Sequence, residues 1–179
     1  MRKVLFLFGQ LNDDDVEWMI RAGRTQPVPR GGLLIRQGIP VDALFILLEG
    51  RLSVLLGRQE REIARLNAGE VVGEMSFVDA RPPSATVRGF EDATVFAIPK
   101  AVLNEKLARD LGFAARFYRA LAVFLSTTVR ERHRMLGYGT EADLDGIEDD
   151  ADELDPNVLD NVYLAGERFD RMVKRVLVT

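Results

Sequence analysis

No cysteine occurs in the 179 residues, which excludes disulfides and thiolate metal sites. Histidine is nearly absent too. His133 stands alone in the basic run Arg130-Glu131-Arg132-His133-Arg134 and reads as a solvated helix residue, not a ligand or base. No apolar run approaches the ~20 residues of a membrane span. Val4-Leu5-Phe6-Leu7-Phe8, after Arg2-Lys3, is too short for the core of a signal peptide. There is no nucleophile elbow and no histidine set beside a serine or carboxylate in a catalytic motif. These absences point away from an enzyme, a metal site or a bound cofactor, and away from the membrane. The expectation is a cytoplasmic regulatory or binding protein.

What is present suffices for one folded domain with appendages. Hydrophobic residues make up 47% of the chain, enough for a core without covalent staples. The net charge of −4 is unevenly placed. Residues 141–179 carry 12 acidic and 4 basic side chains, a net of −8, which leaves +4 for residues 1–140. Neither part has the strongly basic footprint of a nucleic-acid surface.

Three textures follow one another along the chain. Asn12 caps a helix whose first turn is Asp13-Asp14-Asp15, where the helix dipole favours carboxylates. Val16, Met19 and Ile20 give that helix an apolar face, Gly23 ends it, and Pro27 and Pro29 break helical order. Short β-prone runs then alternate with glycine-bearing turns: Leu33–Ile35, Ala43–Leu48, Arg51–Leu56, Glu62–Leu66, Ala85–Val87 and Thr94–Ile98. Evenly spaced short strands predict a jelly-roll or sandwich, mainly β with flanking α. After Pro99 a short helix spans about 100–109, and a long one runs past Gly112 to about Leu136. In the long helix Phe117, Leu121, Phe124, Thr128 and Met135 fall near heptad spacing. They form a seam for the core or for a second copy, so a homodimer through residues 113–136 is expected.

The domain division expected is 1–138, an acidic linker 139–155 and an amphipathic helix 156–179. The nine carboxylates of residues 141–155, with no basic residue among them, are self-repelling. Asp155-Pro156 is a helix start. Beyond it Leu159, Val162, Tyr163, Phe169, Val173, Val176 and Leu177 form an apolar face, with Arg168, Arg171, Lys174 and Arg175 elsewhere. That face must dock on its own domain, on a dimer mate or on another protein.

The stretch richest in chemistry is Val72-Gly73-Glu74-Met75-Ser76-Phe77, followed by Asp79-Ala80-Arg81-Pro82-Pro83-Ser84-Ala85-Thr86-Val87. A short helix after Gly73, through Glu74, Met75 and Ser76, presents backbone N–H groups, and helix N-termini favour anions. With Leu34-Ile35-Arg36-Gln37-Gly38, Phe45-Ile46-Leu47, Glu49-Gly50-Arg51-Leu52 and Gly69, the stretch resembles the cyclic nucleotide-binding domains, over about residues 10–136. The resemblance is to the sensor domain of catabolite activator-like proteins, stand-alone and without the DNA-binding domain. It implies a double-stranded β-helix or jelly-roll barrel followed by a long helix and a tail helix.

The resemblance also implies roles. Glu74 accepts from the ribose 2′-hydroxyl, and nothing in the sequence gives it a structural role. Ser84 and Ala85 meet phosphate oxygens through a hydroxyl and N–H groups. The long helix offers Thr127 and Thr128 to the base. The implied ligand is a cyclic nucleotide, cyclic AMP or cyclic GMP. One departure stands out: where the family carries an arginine on the cyclic phosphate, this chain has Pro83. Loss of such a charge-assisted bond costs about 1.5–3 kcal/mol, roughly 10- to 150-fold in affinity. Arg81, two residues earlier, either swings into the pocket in its place or remains a solvated loop residue. The expected function is a sensor acting through dimerisation or a protein partner. The alternative is a nucleotide-independent interaction module of the same fold. DNA binding is not expected, because no basic recognition helix follows the long helix.

Overall fold

Eight strands form two facing sheets in the computed structural model, which describes residues 3–79, 81–135 and 156–177. In chain order they are β1 (Arg24–Val28), β2 (Leu33–Ile35), β3 (Ala43–Glu49), β4 (Arg51–Leu56), β5 (Arg61–Asn67), β6 (Val71–Val72), β7 (Thr86–Gly89) and β8 (Ala93–Pro99). One sheet has the order β1-β8-β3-β6 and the other β2-β7-β4-β5, with every pairing antiparallel. The predicted jelly-roll is therefore present, as two four-stranded sheets rather than a closed barrel. All six predicted strands appear, β2 and β4 with the predicted ends and the other four with ends shifted by a residue or two. β1 and β6 are additions. Pro27 reads as a breaker in sequence, yet β1 is an edge strand, where a missing N–H need not cost a ladder bond.

β3 explains how the molecule is layered. Six of its seven residues, Ala43–Leu48, are buried because both faces of the strand are covered. Ala43, Phe45 and Leu47 point between the sheets, packing with Val28, Ile35, Leu52, Val72, Val87 and Val95. Leu44, Ile46 and Leu48 point the other way, into a second core roofed by helices. Each such fully buried aliphatic or aromatic side chain contributes about 1.5–3 kcal/mol.

The roof consists of α1 (Lys3–Gln10), α2 (Asp13–Ala22), α3 (Lys100–Arg109), α4 (Leu111–Met135) and α5 (Pro156–Leu177). α2 opens on the expected Asn12 cap, as a reciprocal capping box with Asp15. The apolar run 4–8 is α1, whose Val4, Leu7 and Phe8 are buried beneath neighbouring helices.

α5 docks on its own chain. Ala165, Phe169 and Met172 enter the core that holds Val4, Leu7 and Phe8. Arg168 donates to the carbonyls of Phe8 and Leu11, both at 2.8 Å, so it satisfies oxygens that the end of α1 leaves unpaired. Arg168 and Arg171 pair with Asp13, and Arg175 pairs with Glu17. Of the three docking targets expected for this apolar face, the structure shows its own domain, through Ala165, Phe169 and Met172. Tyr163, assigned to that face from sequence, is 68% exposed, while Ala165 and Met172 take the buried positions. The proposed linker 139–155 lies outside the described residues.

Candidate functional site

Gly73 sets the path of the cassette. Its φ is +87°, and a Cβ there would lie 2.6 Å from the Ala43 carbonyl oxygen, so both the backbone and the space require glycine. A single 3-10 turn, Glu74–Phe77, follows. The Ser76 hydroxyl donates to Gly73 O at 2.7 Å and the Ser76 N–H donates to the same oxygen at 3.3 Å. Both donors of Ser76 are therefore spent within the turn. Met75 is exposed. Lys100 secures the turn from the other side, with Nζ 2.7 Å from Ser76 O and 5.5 Å from the centre of the Phe77 ring.

Glu74 has a partner that the sequence did not reveal. Only 7% of the residue is exposed, and its Oε1 lies 3.4 Å from Nζ of Lys3 on α1. Lys3 Nζ also donates to Val71 O at 3.3 Å and sits 4.5 Å from the centre of the Phe124 ring on α4. Glu70 belongs to the same group: burial pushes its carboxyl above the ordinary 4.5, Lys3 pulls it down and Glu74 pushes it up. Glu74 faces the helix-roofed core. It lines a crevice with Lys3, Leu7, Leu44, Val71, Ala120, Leu121 and Phe124 whose volume is only about 10 Å³. That is about the space of one water molecule, too little for a sugar ring within this crevice.

The second half of the cassette is more open. Arg81 is 89% exposed at its side chain, 3.9 Å from Asp79, and its N–H donates to Asp79 Oδ1. Its guanidinium stands in solvent. Ser84 is exposed, Pro83 and Ala85 are half-buried. The segment is tied to the turn after β2, where Gly38 N–H donates to Pro83 O at 3.0 Å and Gln37 N–H to Thr86 Oγ1 at 3.1 Å. On α4, the Thr127 hydroxyl donates back to Val123 O at 3.0 Å. The side chain of Thr128 lies outside the described residues. The structure thus gathers Gly73, Glu74, Met75 and Ser76 in one turn, and joins Ser84 and Ala85 to the Gln37-Gly38 turn.

Sequence reasoning missed Lys3, Lys100 and the ring of Phe124 as cassette neighbours. Lys3 and Glu74 are 71 residues apart, and no local pattern links them. Among the described residues no three His, Asp or Glu side chains are grouped to hold a metal ion, and no helix is long and apolar enough to cross a membrane.

The long helix also differs from expectation. Phe113, Phe117, Ala120, Leu121 and Phe124 are buried within the chain, with Phe117 edge-on to Phe77 at 5.7 Å. Of the stripe expected as a seam for the core or a second copy, Phe117, Leu121 and Phe124 are taken by the protein's own core, while the side chains of Thr128 and Met135 lie outside the described residues. On the opposite side Leu111, Ala115, Tyr118, Ala122 and Val129 are exposed and Leu125 is half-buried. Their spacing alternates four and three residues, the repeat of a coiled-coil seam.

Comparison with known proteins agrees with this architecture. Residues 25–110 match the profile of the cyclic nucleotide-binding domain. The chain is 32% identical over 95 residues to a cyclic AMP receptor protein of Thermus thermophilus, covering 51% of this chain and 44% of that one. It spans between a quarter and under half of the length of such curated relatives. A cyclic nucleotide-binding domain from Methylobacillus flagellatus superposes with a TM-score of 0.66 at 22% identity, over 77% of this chain and 83% of that one. The N-terminal domain of a transcriptional regulator from Streptomyces coelicolor gives 0.59 at 27% identity, over 70% and 94%. Two facing sheets, a glycine-led cassette and a long following helix go with that match: residues 25–110 of this chain belong to the cyclic nucleotide-binding domain family.

Proposed function

We propose that the chain is a regulatory sensor of a cyclic nucleotide, cyclic AMP or cyclic GMP, and that it catalyses no reaction. The observation that carries this is the family match over residues 25–110, a stretch that contains Gly73, Glu74, Ser84 and Ala85. Backbone N–H groups at 84 and 85 and the exposed Ser84 hydroxyl receive the phosphate. Glu74 turns toward the sugar, and Thr128 meets the base. Arg81, the one arginine between Gly73 and Val87, supplies counter-charge after leaving Asp79. The output passes through a homodimer joined along the exposed seam of α4, in the cytoplasm. Calorimetric titration with both nucleotides tests the reading. Binding weakened by Pro83 but measurable is expected, and absence of heat for both at about 1 mM, a bound of about −4 kcal/mol, overturns it.

A second reading has its own support. Pro83 stands where the phosphate arginine is usual, and Lys3 already neutralises Glu74. Both suit a nucleotide-independent interaction module, which predicts an unchanged dimer and no heat with either nucleotide.

A further inference from the structure

α1 is fastened at both ends, and to different things. Its first turn is held to the sandwich: Val4 N–H donates to Gly69 O at 2.9 Å, and Lys3 reaches Glu74 and Val71 O. Its last turn is held to α5 through Arg168 on the carbonyls of Phe8 and, just beyond the helix, Leu11. Glu74 sits on the helix side of the sheet, with Leu44 and Val71, while its neighbour Val72 faces between the sheets. The crevice of about 10 Å³ on that side admits nothing larger than water. Lys3 engages Oε1 of Glu74, so a partner that takes that oxygen displaces Lys3, which then keeps a carbonyl, an aromatic ring and the nearby Glu70 in a half-buried place.

We propose that Lys3 and Glu74 form a latch: ligand captured by Glu74 competes with Lys3, frees the first turn of α1, and so loosens the hold of α1 on α5. This rests on the sensor reading above and adds what the sensor moves. The cassette, α1 and the tail helix become one mechanical train, with Lys3 as its positioning residue. Linkage requires reciprocity, so whatever loosens α1 also raises ligand affinity by the same factor.

The test uses the full chain and two readouts, amide hydrogen exchange and calorimetry with cyclic AMP and cyclic GMP. In Lys3→Met, amides of α1 and α5 are expected to exchange about 10-fold faster without ligand, β3 and β8 staying unchanged. The better-binding nucleotide is expected to bind about 10-fold more tightly, within the usual range of such couplings. Lys3→Arg restores both values, which a merely structural loss at position 3 does not require. In the wild-type protein, saturating nucleotide speeds exchange in α1 and α5, and in Lys3→Met it adds nothing further. Equal affinity in wild type and Lys3→Met, or unchanged exchange in α5, overturns the latch while leaving the sensor standing. Absence of binding to both proteins overturns the sensor reading and the latch together.

Discussion

Arg116 on α4 grips Asp15 on α2 with two bonds, Nε to Oδ2 at 2.6 Å and Nη2 to Oδ1 at 2.9 Å. Asp15 is 4% exposed and also closes the capping box at the start of α2. Removing the guanidinium strands a buried carboxylate that keeps only its bond from Asn12. Arg116→Ala is expected to destabilise the fold by about 2 kcal/mol, since the arginine itself is partly exposed. Urea denaturation followed through Trp18, the only tryptophan, measures it; a loss below a few tenths of a kcal/mol refutes the assignment.

Pro83 offers a gain-of-function test. It already presents its carbonyl to Gly38, a bond that any residue at this position retains. Pro83→Arg adds a charge-assisted donor worth about 1.5–3 kcal/mol, so affinity for the preferred cyclic nucleotide rises roughly 10- to 150-fold by calorimetry. Equal affinity in both proteins means the phosphate does not lie beside residue 83.

The exposed seam of α4 predicts its own disruption. Ala122→Glu places a charge in the middle of the row formed by Leu111, Ala115, Tyr118, Leu125 and Val129, without touching the buried side that carries Phe117 and Leu121. Sedimentation is expected to show a dimer for the wild type and a monomer of unchanged stability for the variant. A variant that still sediments as a dimer removes the seam from the interface.

Acid is expected to loosen α5. The hydrogen bond from Arg168 is the main influence holding the Asp13 carboxyl below its ordinary value of 3.8; burial opposes it, and a hydrogen bond from Arg171 adds a lesser downward pull. A depressed folded-state value means the stabilisation is complete above pH 3.8 and is lost as pH falls through the lower folded value. Exchange in α5 should therefore accelerate over that acid range in the wild type. In Asp13→Asn this component is already absent at neutral pH, and the acid response shrinks. An identical acid response in the two proteins contradicts the assignment.

Much of the fold was legible because strand and helix signals are local. Alternating glycine turns placed the strands, and Asn12 with its acidic first turn placed α2. What escaped was decided by distant partners. The run 4–8 has no helical stripe because α1 is covered on several sides, so its apolar residues are not confined to one face. The amphipathic character of α5 was plain, but its target was not, since Arg168 pairs with Asp13 across 155 residues. Likewise the heptad-like row through Phe117, Leu121 and Phe124 was real, and only the packed structure shows that it faces inward. The cassette's glycine, carboxylate and serine were readable as types. The direction in which Glu74 points depends on a lysine near the other end of the domain.

The proline in β1 has a consequence for how this protein keeps company in a crowded solution. β1 and β6 bound one sheet, and β6 is only two residues long, so β1 is the longer template on which a foreign strand could grow. Pro27 leaves that template one donor short, and Pro29 follows immediately after the strand. The residues that obscure β1 in the sequence are the ones that make it a poor seed for fibrils.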